Sequence, residues 1–447
     1  MELEGRVSGV LRRILGDGIG AHLIRGVLGT GSLGLINKGL SLLIAIFLAR
    51  SLGAEGYGYY AFATAVVALI SIPSQFGLPQ LLSREVAACQ AKEEWSLLQG
   101  LRRRVAQIAL ITVIVGALGF GGLFLALADF IAALDPVTFA IALMLLPLQV
   151  ATVIASGFLR GLRHVIHAAW PTSILWPGFF LLFLLVFGKG LSANGAMSLN
   201  VSAAMIPLLA SVFLLRRLWP QSAAVSAPSY RSREWLSSLL PFALLASVNL
   251  VVRNTDIFML GVMTSANEVG IYNIAVQGSI LVSFSLFALN SVLAPNIARL
   301  FAQGELGKLQ RLATISTAVM TVVAALTGLP LLLAGEWLLK TIFGATYEVG
   351  YTALAILVLG QMTNATMGSV GLFLSMTGHE KDTLRGLTIS AALNVVLNAA
   401  LIPPFGINGA AIATVISILT WNIILGLLVY RRLGIVPGPF GPICAIK

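Results

Sequence analysis

Long runs of apolar residues, separated by short polar stretches, make up most of the chain. The runs are about 18 to 25 residues long, and a helix of that length spans roughly 30 Å of hydrocarbon. Membrane β-strands would instead show segments of about ten residues that alternate in polarity. The pattern therefore predicts an all-α integral membrane protein with about 12 transmembrane helices. The predicted spans are 26–50, 57–80, 105–128, 137–158, 171–188, 196–216, 238–262, 269–294, 313–335, 351–376, 384–402 and 409–430.

The composition agrees with this membrane assignment. Of the 447 residues 58% are hydrophobic and 10% are charged, and the mean hydropathy is +0.94. A soluble domain carries about a quarter charged residues, so this chain could not cover a water-exposed surface. The formal net charge of +11 does not indicate nucleic-acid binding, because the basic residues are scattered among short loops. The two cysteines show no disulfide pattern.

The distribution of basic residues predicts the orientation in the cell membrane. Of the 28 lysines and arginines, Arg50, Lys189 and Lys340 lie in odd-numbered loops, and Lys38 and Arg253 lie inside spans. The remaining 23 lie at the termini and in the even-numbered loops. By the positive-inside rule both termini of this multi-pass protein are cytoplasmic. Residues 1–25 are predicted to form a cytoplasmic amphipathic segment, with a frayed basic tail as the alternative.

The two halves of the chain resemble each other. A shift of 212 positions places Asn37 on Asn249, Gly58 on Gly270 and Tyr60 on Tyr272. Six spans return the chain to the side where it started, so the halves would be parallel repeats related by a pseudo-two-fold axis along the membrane normal. Chance similarity between apolar helices is the alternative. The predicted division is an N-lobe at 26–216, a linker at 217–237, a C-lobe at 238–432 and a cytoplasmic tail at 433–447.

Three charged residues lie inside predicted spans away from the span ends, and each costs about 2.5–3.5 kcal/mol at a helix centre on insertion scales. Lys38 is near the middle of the first span, and Arg253 and Asp256 are three positions apart in the seventh. Such charges usually face a cavity or a partner and indicate function. Lys38 and Arg253 fall at similar depths in the two lobes, which suggests a cavity that receives an anionic group. The alternative for Arg253 and Asp256 is an ion pair that joins their helix to a neighbour.

Uncharged polar residues also recur inside the spans. They are suited to a hydrated cavity wall that binds hydroxyl-rich ligands, or to hydrogen bonds between neighbouring helices. Prolines such as Pro73, Pro207 and Pro330 mark places where spans can bend. The candidate cavity residues are Asn37, Asn249, Gln277, Gln361, Asn364, Asn394 and Asn398.

The loops predict a transporter rather than an enzyme. The predicted outer loops are short and contain no histidine, and their acidic residues are scattered. The sequence shows no zinc-ligand spacing, nucleophile elbow or phosphate-binding loop. We therefore expect no catalytic residues, no metal site and no cofactor, apart from H⁺ or Na⁺ as a candidate coupling ion.

Three stretches resemble the polysaccharide transporter family of Wzx-type flippases. They are FLARSLGAEGYGYYAFATAVVALISIPSQFGLPQLLSREVA, NTDIFMLGVMTSANEVGIYNIAVQ, and the region from IFGATYEVGYTALAILVLG to GLFLSMTGHEKDTLRGLTISAALNVVLNAALIPPFGINGAAIATVIS. The resemblance covers residues 26–432. It implies a MATE-like fold of the MOP superfamily, with two six-helix lobes around a central cavity. It also implies flipping of undecaprenyl-pyrophosphate-linked oligosaccharide, an O-antigen or exopolysaccharide repeat unit, from the cytoplasmic to the outer leaflet.

The predicted mechanism is alternating access. Lys38 and Arg253 would attract the pyrophosphate, and Asp256 would either carry a coupling ion or pair with Arg253. The expected partners are the lipid-linked glycan, membrane lipids and glycan polymerase machinery, with no nucleic acid. A MATE-type multidrug or cation antiporter stays open as an alternative. A lipid II flippase is disfavoured, because Tyr57–Tyr60 and Ile72–Ser74 replace the signature of that subfamily.

Overall fold

The computed structural model describes residues 19–188 and 190–439, with some side chains in helices left out. The predicted segment 1–25 lies outside this range up to residue 18, as do Lys189 and the tail beyond 439. The described residues form helices and contain no strand. This confirms the predicted all-α class.

The described residues of the first half form nine α-helices, α1 to α9. A π-helix, Val115–Gly121, follows α3, and a second, Pro171–Leu175, precedes α8. The helices are α1 Ile19–Gln75, α2 Leu78–Ala91, α3 Trp95–Ile114, α4 Gly122–Ala126, α5 Pro136–Leu143, α6 Leu145–Gly161, α7 Val165–Trp170, α8 Trp176–Phe187 and α9 Ala193–Leu218.

The second half begins after a short connecting helix, α10. It contains α11 to α17, with a 3₁₀ turn at Ala345–Gly350 before α15. The helices are α10 Gln221–Val225, α11 Ser232–Met263, α12 Ala266–Ile280, α13 Phe284–Ala302, α14 Leu306–Ile342, α15 Tyr351–Met367, α16 Val370–Met376 and α17 Glu380–Leu433.

Three of these helices contain a break: α14 at Ala334, where φ is −126° and ψ is 15°, and the two longest, α1 and α17, at a glycine. At 1.5 Å per residue, the 57 residues of α1 would extend about 85 Å if straight. The chain leaves helical geometry at Gly53 in α1, where φ is 68°, and at Gly406 in α17, where φ is 53°. Glycine adopts positive φ without the steric cost that other residues pay. The helices α1 and α17 therefore each cover two predicted spans joined at a glycine.

Seven helices of the described residues are long and apolar enough to cross a membrane. The pair Ala345–Met367 and Val370–Met376, bent by 42°, makes an eighth. Large apolar side chains such as Phe130, Leu333 and Leu118 are exposed on the outside of the molecule. Exposed apolar side chains of this size are favourable in lipid and unfavourable in water. The chain is a multi-pass membrane protein, and the exact count of twelve spans stays a prediction.

The buried core is continuous across the two halves of the chain. Phe62 of α1 is fully buried and stacks on Phe258 of α11, with ring centroids 6.3 Å apart. A Cβ added at Gly261 would lie 2.1 Å from the Phe62 ring, so only glycine fits there. A second, smaller core cluster joins α2, α3 and the end of α6 to α10 and the start of α11.

Candidate functional site

A cavity of about 260 Å³ lies between helices of the first half and α12 of the second half. The middle of α1 contributes one wall, from Ser41 to Leu48 and from Tyr57 to Thr64. Residues of α6, α8 and α9 complete the first-half side. The lining residues are Ser41, Ile44, Ala45, Leu48, Tyr57, Tyr60, Thr64, Leu145, Gln149, Trp176, Phe180, Asn200, Asn273 and Gln277.

Four aromatic rings form a continuous stack along this cavity. The ring centroids of Tyr57 and Tyr60 are 6.3 Å apart, those of Tyr60 and Phe180 6.4 Å, and those of Phe180 and Trp176 6.2 Å. The planes of neighbouring rings differ by only 16° to 21°. These separations lie within the usual range for aromatic pairs.

A hydrogen-bonded chain fixes two of these rings. Trp176 Nε1 donates to Asn200 Oδ1 at 3.0 Å, and Asn200 Nδ2 donates to the Tyr60 hydroxyl at 2.8 Å. Asn200 is only 3% exposed, so its amide would be costly without these partners. The chain links α1, α8 and α9.

The second half contains a different polar cluster, centred on Asp256 of α11. Its carboxylate accepts hydrogen bonds from Asn398 Nδ2 at 2.8 Å, from the Tyr272 hydroxyl at 3.2 Å and from the Thr414 hydroxyl. Asn398 also donates to Asn394 Oδ1 at 3.0 Å. Tyr272 and Asn398 are fully buried. The cluster therefore holds a carboxylate among neutral donors at the junction of α11, α12 and α17.

The two polar networks occupy related positions in the repeat. Tyr272 follows Tyr60 by 212 positions, and Thr414 follows Asn200 by 214. Tyr60 bonds to Asn200, and the hydroxyls of Tyr272 and Thr414 lie 3.3 Å apart. The same helix contact is thus made twice, with a carboxylate present only in the second half.

The repeat also meets itself at one end of the molecule. A Cβ added at Gly58 would lie 1.7 Å from the carbonyl oxygen of Ala266, and one at Gly270 would lie 2.0 Å from that of Ala54. The shift of 212 exchanges Ala54 with Ala266 and Gly58 with Gly270. Each glycine therefore packs on the other's alanine, as a pseudo-two-fold axis requires. We call this contact the glycine crossing.

Further contacts between the halves surround the glycine crossing. Arg50 Nε donates to the Ile342 carbonyl at 2.7 Å, and Arg50 Nη2 donates to that of Thr341. These carbonyls end α14, where a cation is favourable. The Tyr347 hydroxyl donates to the Ala49 carbonyl at 3.3 Å. The two halves are closed against each other at this end.

The three charges predicted inside spans have separate surroundings. The Lys38 ammonium lies over the Phe287 ring of α13, 5.1 Å from its centroid, so it contacts the other half of the molecule. Asp256 lies in the cluster described above. The side chain of Arg253, like that of Asn249, is outside the described residues, so both assignments stay predictions.

The predicted polar residues are divided among several places. Gln277 lines the cavity, while Asn394 and Asn398 belong to the Asp256 cluster. Asn37 donates to the Ser173 carbonyl of the π-helix at 3.3 Å. Asn364 accepts from Asn422 Nδ2 at 2.8 Å and donates to Gln361 at 3.4 Å. These last contacts are of the helix-to-helix or local type, which is the alternative stated for the polar residues.

The hydropathy pattern does not identify most of the residues that line the cavity. Tyr57, Tyr60 and Trp176 count as apolar or neutral residues in such a pattern, and their stacking depends on three helices meeting. Asn200 and Gln149 are isolated polar residues in apolar runs. Their isolation was the available signal, together with the Tyr60–Tyr272 match.

The chain is similar in sequence and in fold to several known membrane proteins. A probable low-salt glycan biosynthesis flippase, Agl15 of Haloferax volcanii, is 25% identical over 390 residues, which cover 86% of this chain and 78% of that protein. An inward-facing MATE multidrug transporter of the MOP superfamily superposes with a TM-score of 0.71 at 14% identity, covering 91% of this chain and 98% of its own. The lipid II flippase MurJ gives 0.70 at 12% identity, covering 90% and 87%.

These similarities confirm the predicted MATE-like fold and the prediction that the protein is a transporter and not an enzyme. The structural neighbours share the MOP fold, and the similar proteins are transporters or flippases rather than enzymes. The model of the polysaccharide biosynthesis protein family matches residues 23–301, which is more than half of the chain. The chain therefore belongs to the polysaccharide biosynthesis protein family.

Proposed function

We propose that this protein is a flippase that moves an undecaprenyl-pyrophosphate-linked oligosaccharide from the cytoplasmic to the outer leaflet. The family match and the Agl15 relative support a lipid-linked glycan as the substrate. The observation that carries the proposal is the cavity between the two halves, which combines aromatic faces with amide and hydroxyl groups. A few polar groups in a mostly apolar concave site are typical of ligand binding.

Alternating access is the proposed mechanism. The basic residues of the loops support cytoplasmic termini, which would put Ala54 and Gly58 at the outer face. The glycine crossing and the Arg50 contacts would then close the outer side, and the glycan would enter from the cytoplasmic side. Separation of the two halves at the crossing would release it outward, while the lipid tail stays in the bilayer.

Lys38 and Arg253 are the proposed contacts of the pyrophosphate. Moving an unpaired pyrophosphate through hydrocarbon would cost of order tens of kcal/mol. A cation already held at the boundary between the halves, as Lys38 is beside Phe287, would lower this cost.

Asp256 is the proposed site of ion coupling, through H⁺ or Na⁺. Its carboxylate is adjacent to the Thr414 hydroxyl and to the amides of Asn394 and Asn398. Among the described residues, Asn398 Oδ1 is buried and has no hydrogen-bond donor. Oxygens of these types suit a hard cation, and a carboxylate can also carry a proton.

The test is the lipid-linked intermediate that accumulates in a strain that lacks the gene. We expect oligosaccharide-bearing undecaprenyl pyrophosphate to collect in the cytoplasmic leaflet, and surface glycan to disappear until the gene is restored. Drug hypersensitivity with intact surface glycan would contradict the proposal and indicate a multidrug antiporter. Accumulation of lipid II alone would contradict it in favour of a lipid II flippase.

A further inference from the structure

We propose that the cavity between the halves is a subsite for one uncharged sugar ring, and that it selects neutral over acidic glycans. This inference rests on the proposed function and specifies its substrate. It is carried by three features of the described lining: the aromatic rings, the amides that no described protein group hydrogen-bonds, and the absence of a charged side chain among the described lining residues.

The stacked rings offer an apolar wall in a fixed orientation. Tyr57, Tyr60 and Phe180 are at most 8% exposed, so neighbouring side chains hold them in place. The bonds through Asn200 fix Tyr60 and Trp176: the Trp176 N–H donates to Asn200, and the Tyr60 hydroxyl accepts from it. Trp176 is the one ring of the four that is only partly buried, so it has the most surface left for the C–H face of a sugar ring, whose hydroxyls would then be directed outward around the rim.

The amides opposite these rings have hydrogen-bonding capacity left over. Within residues 19–188 and 190–439, no protein group hydrogen-bonds the side chains of Gln149, Asn273 or Gln277, all of which line the cavity. Asn273 is only 9% exposed. The polar atoms of these three amides are open to the cavity and are not among the buried atoms that have no partner, so a ligand in the cavity can reach them. Sugar hydroxyls both donate and accept, as the two ends of an amide require.

The charge and size of the cavity define which sugar fits. None of its described lining residues is Asp, Glu, Lys, Arg or His. A uronic acid carboxylate would lose its hydration there without meeting a counter-ion among the described lining residues, and Lys38, one turn away, is assigned to the pyrophosphate. The volume of 260 Å³ equals about nine waters at roughly 30 Å³ each, on the scale of one sugar ring.

The position of the cavity agrees with a lipid-linked glycan. Ser41 of the lining follows Lys38 by three residues on α1, about 4.5 Å along the helix axis. A pyrophosphate near Lys38 would therefore place the first sugars at the cavity, on the side towards the glycine crossing.

The experiment compares two synthetic analogues on the purified full-length protein in lipid nanodiscs. Each has a short prenyl pyrophosphate carrier and a disaccharide that begins with N-acetylglucosamine. The second sugar is glucose in one analogue and glucuronic acid in the other. Titration calorimetry measures both affinities and that of the carrier alone. The variants are Asn273→Ala, Gln277→Ala and Gln277→Lys, and Gln303→Ala is the matched control, because Gln303 is exposed and outside the cavity.

We expect the wild-type protein to bind the neutral analogue at least tenfold more tightly than the acidic one. Asn273→Ala and Gln277→Ala should each weaken binding of the neutral analogue roughly three- to tenfold. Binding of the carrier alone should not change, which also shows that the variants are folded. Gln277→Lys should shift the preference towards the acidic analogue by about tenfold, and Gln303→Ala should behave as wild type.

Two results would overturn the inference in distinguishable ways. Equal binding of the two analogues, or alanine variants with unchanged affinity, would disprove the sugar subsite alone, provided that the protein flips lipid-linked glycan in vesicles. If the wild-type protein neither binds the carrier-linked analogues nor flips lipid-linked glycan, the proposed function fails and this inference fails with it.

Discussion

The Asp256 carboxylate is held by neutral donors from α12 and α17, so no buried cation among the described residues is left unpaired when its charge is removed. In Asp256→Asn the remaining oxygen accepts from Asn398, and the new amide N–H donates to the hydroxyl oxygens of Thr414 and Tyr272, which reverse their role. If Asp256 couples transport to an ion, this variant should fold normally and lose the dependence of transport on a proton or sodium gradient. Flipping in vesicles with and without each gradient measures this.

Asp382→Asn is the matched control for that measurement. Asp382 is also a buried carboxylate, but it accepts from Arg432 Nε at 3.0 Å in an ion pair near the end of α17. Its neutralisation should lower the unfolding temperature and leave the gradient dependence intact. An Asp256→Asn protein with the gradient dependence of the wild type would assign Asp256 a structural role.

Variants of Lys38 and Arg253 test whether these residues contact the pyrophosphate. A charge-assisted hydrogen bond contributes about 1.5–3 kcal/mol, so Lys38→Ala or Arg253→Ala should reduce glycan export ten- to hundredfold at normal protein levels. Lys308→Ala is the control, since Lys308 forms an exposed pair with Glu305. Surface glycan and immunoblots of the membrane fraction give the two readouts. Normal export by both variants would disprove the cation pair.

At the scale of helices, the close packing of the glycine crossing leaves no room for a side chain. Any side chain at Gly58 or Gly270 must push α1 and α12 apart, because its Cβ would overlap a backbone oxygen. Gly58→Ala and Gly270→Ala should therefore each prevent full closure, lower the unfolding temperature and reduce transport. Distances between spin labels on the two halves, measured by double electron–electron resonance, should increase.

Gly39→Ala is the control on the same helix. Nothing lies within 4 Å of a Cβ added at Gly39. There, alanine should be neutral or stabilise the helix by about 0.5–1 kcal/mol. If Gly58→Ala kept wild-type closure and transport, the crossing would not be a functional contact.

The helical class was predictable because apolar runs must become helices in lipid, where every backbone group needs an internal partner. The breaks were less predictable. Pro207 lies inside an unbroken helix, and the break in α1 is at Gly53 and not at Pro73. Pro330 precedes the break at Ala334 in α14 by four residues, and α17 leaves helical geometry at Gly406. Proline removes one hydrogen bond that neighbouring groups can replace, whereas positive φ interrupts the helix directly.

The candidate site could be predicted only in part, because it depends on which helices meet. Charged residues that are costly to place in lipid, such as Lys38 and Asp256, can be recognised within a single span. Tyr60, Trp176 and Asn200 acquire their arrangement only when α1, α8 and α9 pack together. The repeat with a shift of 212 positions predicts that Tyr60 and Tyr272 correspond, but it does not predict that their hydroxyls have different hydrogen-bond partners.

At the scale of the whole molecule, alternating access requires that the contacts around Arg50 break once in every cycle. Arg50 of one half bonds to the carbonyls that end α14 of the other. Cysteines at Arg50 and Thr341, joined by a cleavable bifunctional thiol reagent in a protein whose Cys89 and Cys444 are serine, should therefore stop flipping. Reduction of the linker should restore it. The control pair is Lys340→Cys with Glu348→Cys, since these side chains meet at 2.8 Å within one half. Cross-linking of that pair should leave transport unchanged, because no movement between the halves separates it. Continued flipping by the Arg50–Thr341 cross-linked protein would show that this end of the molecule does not open during transport.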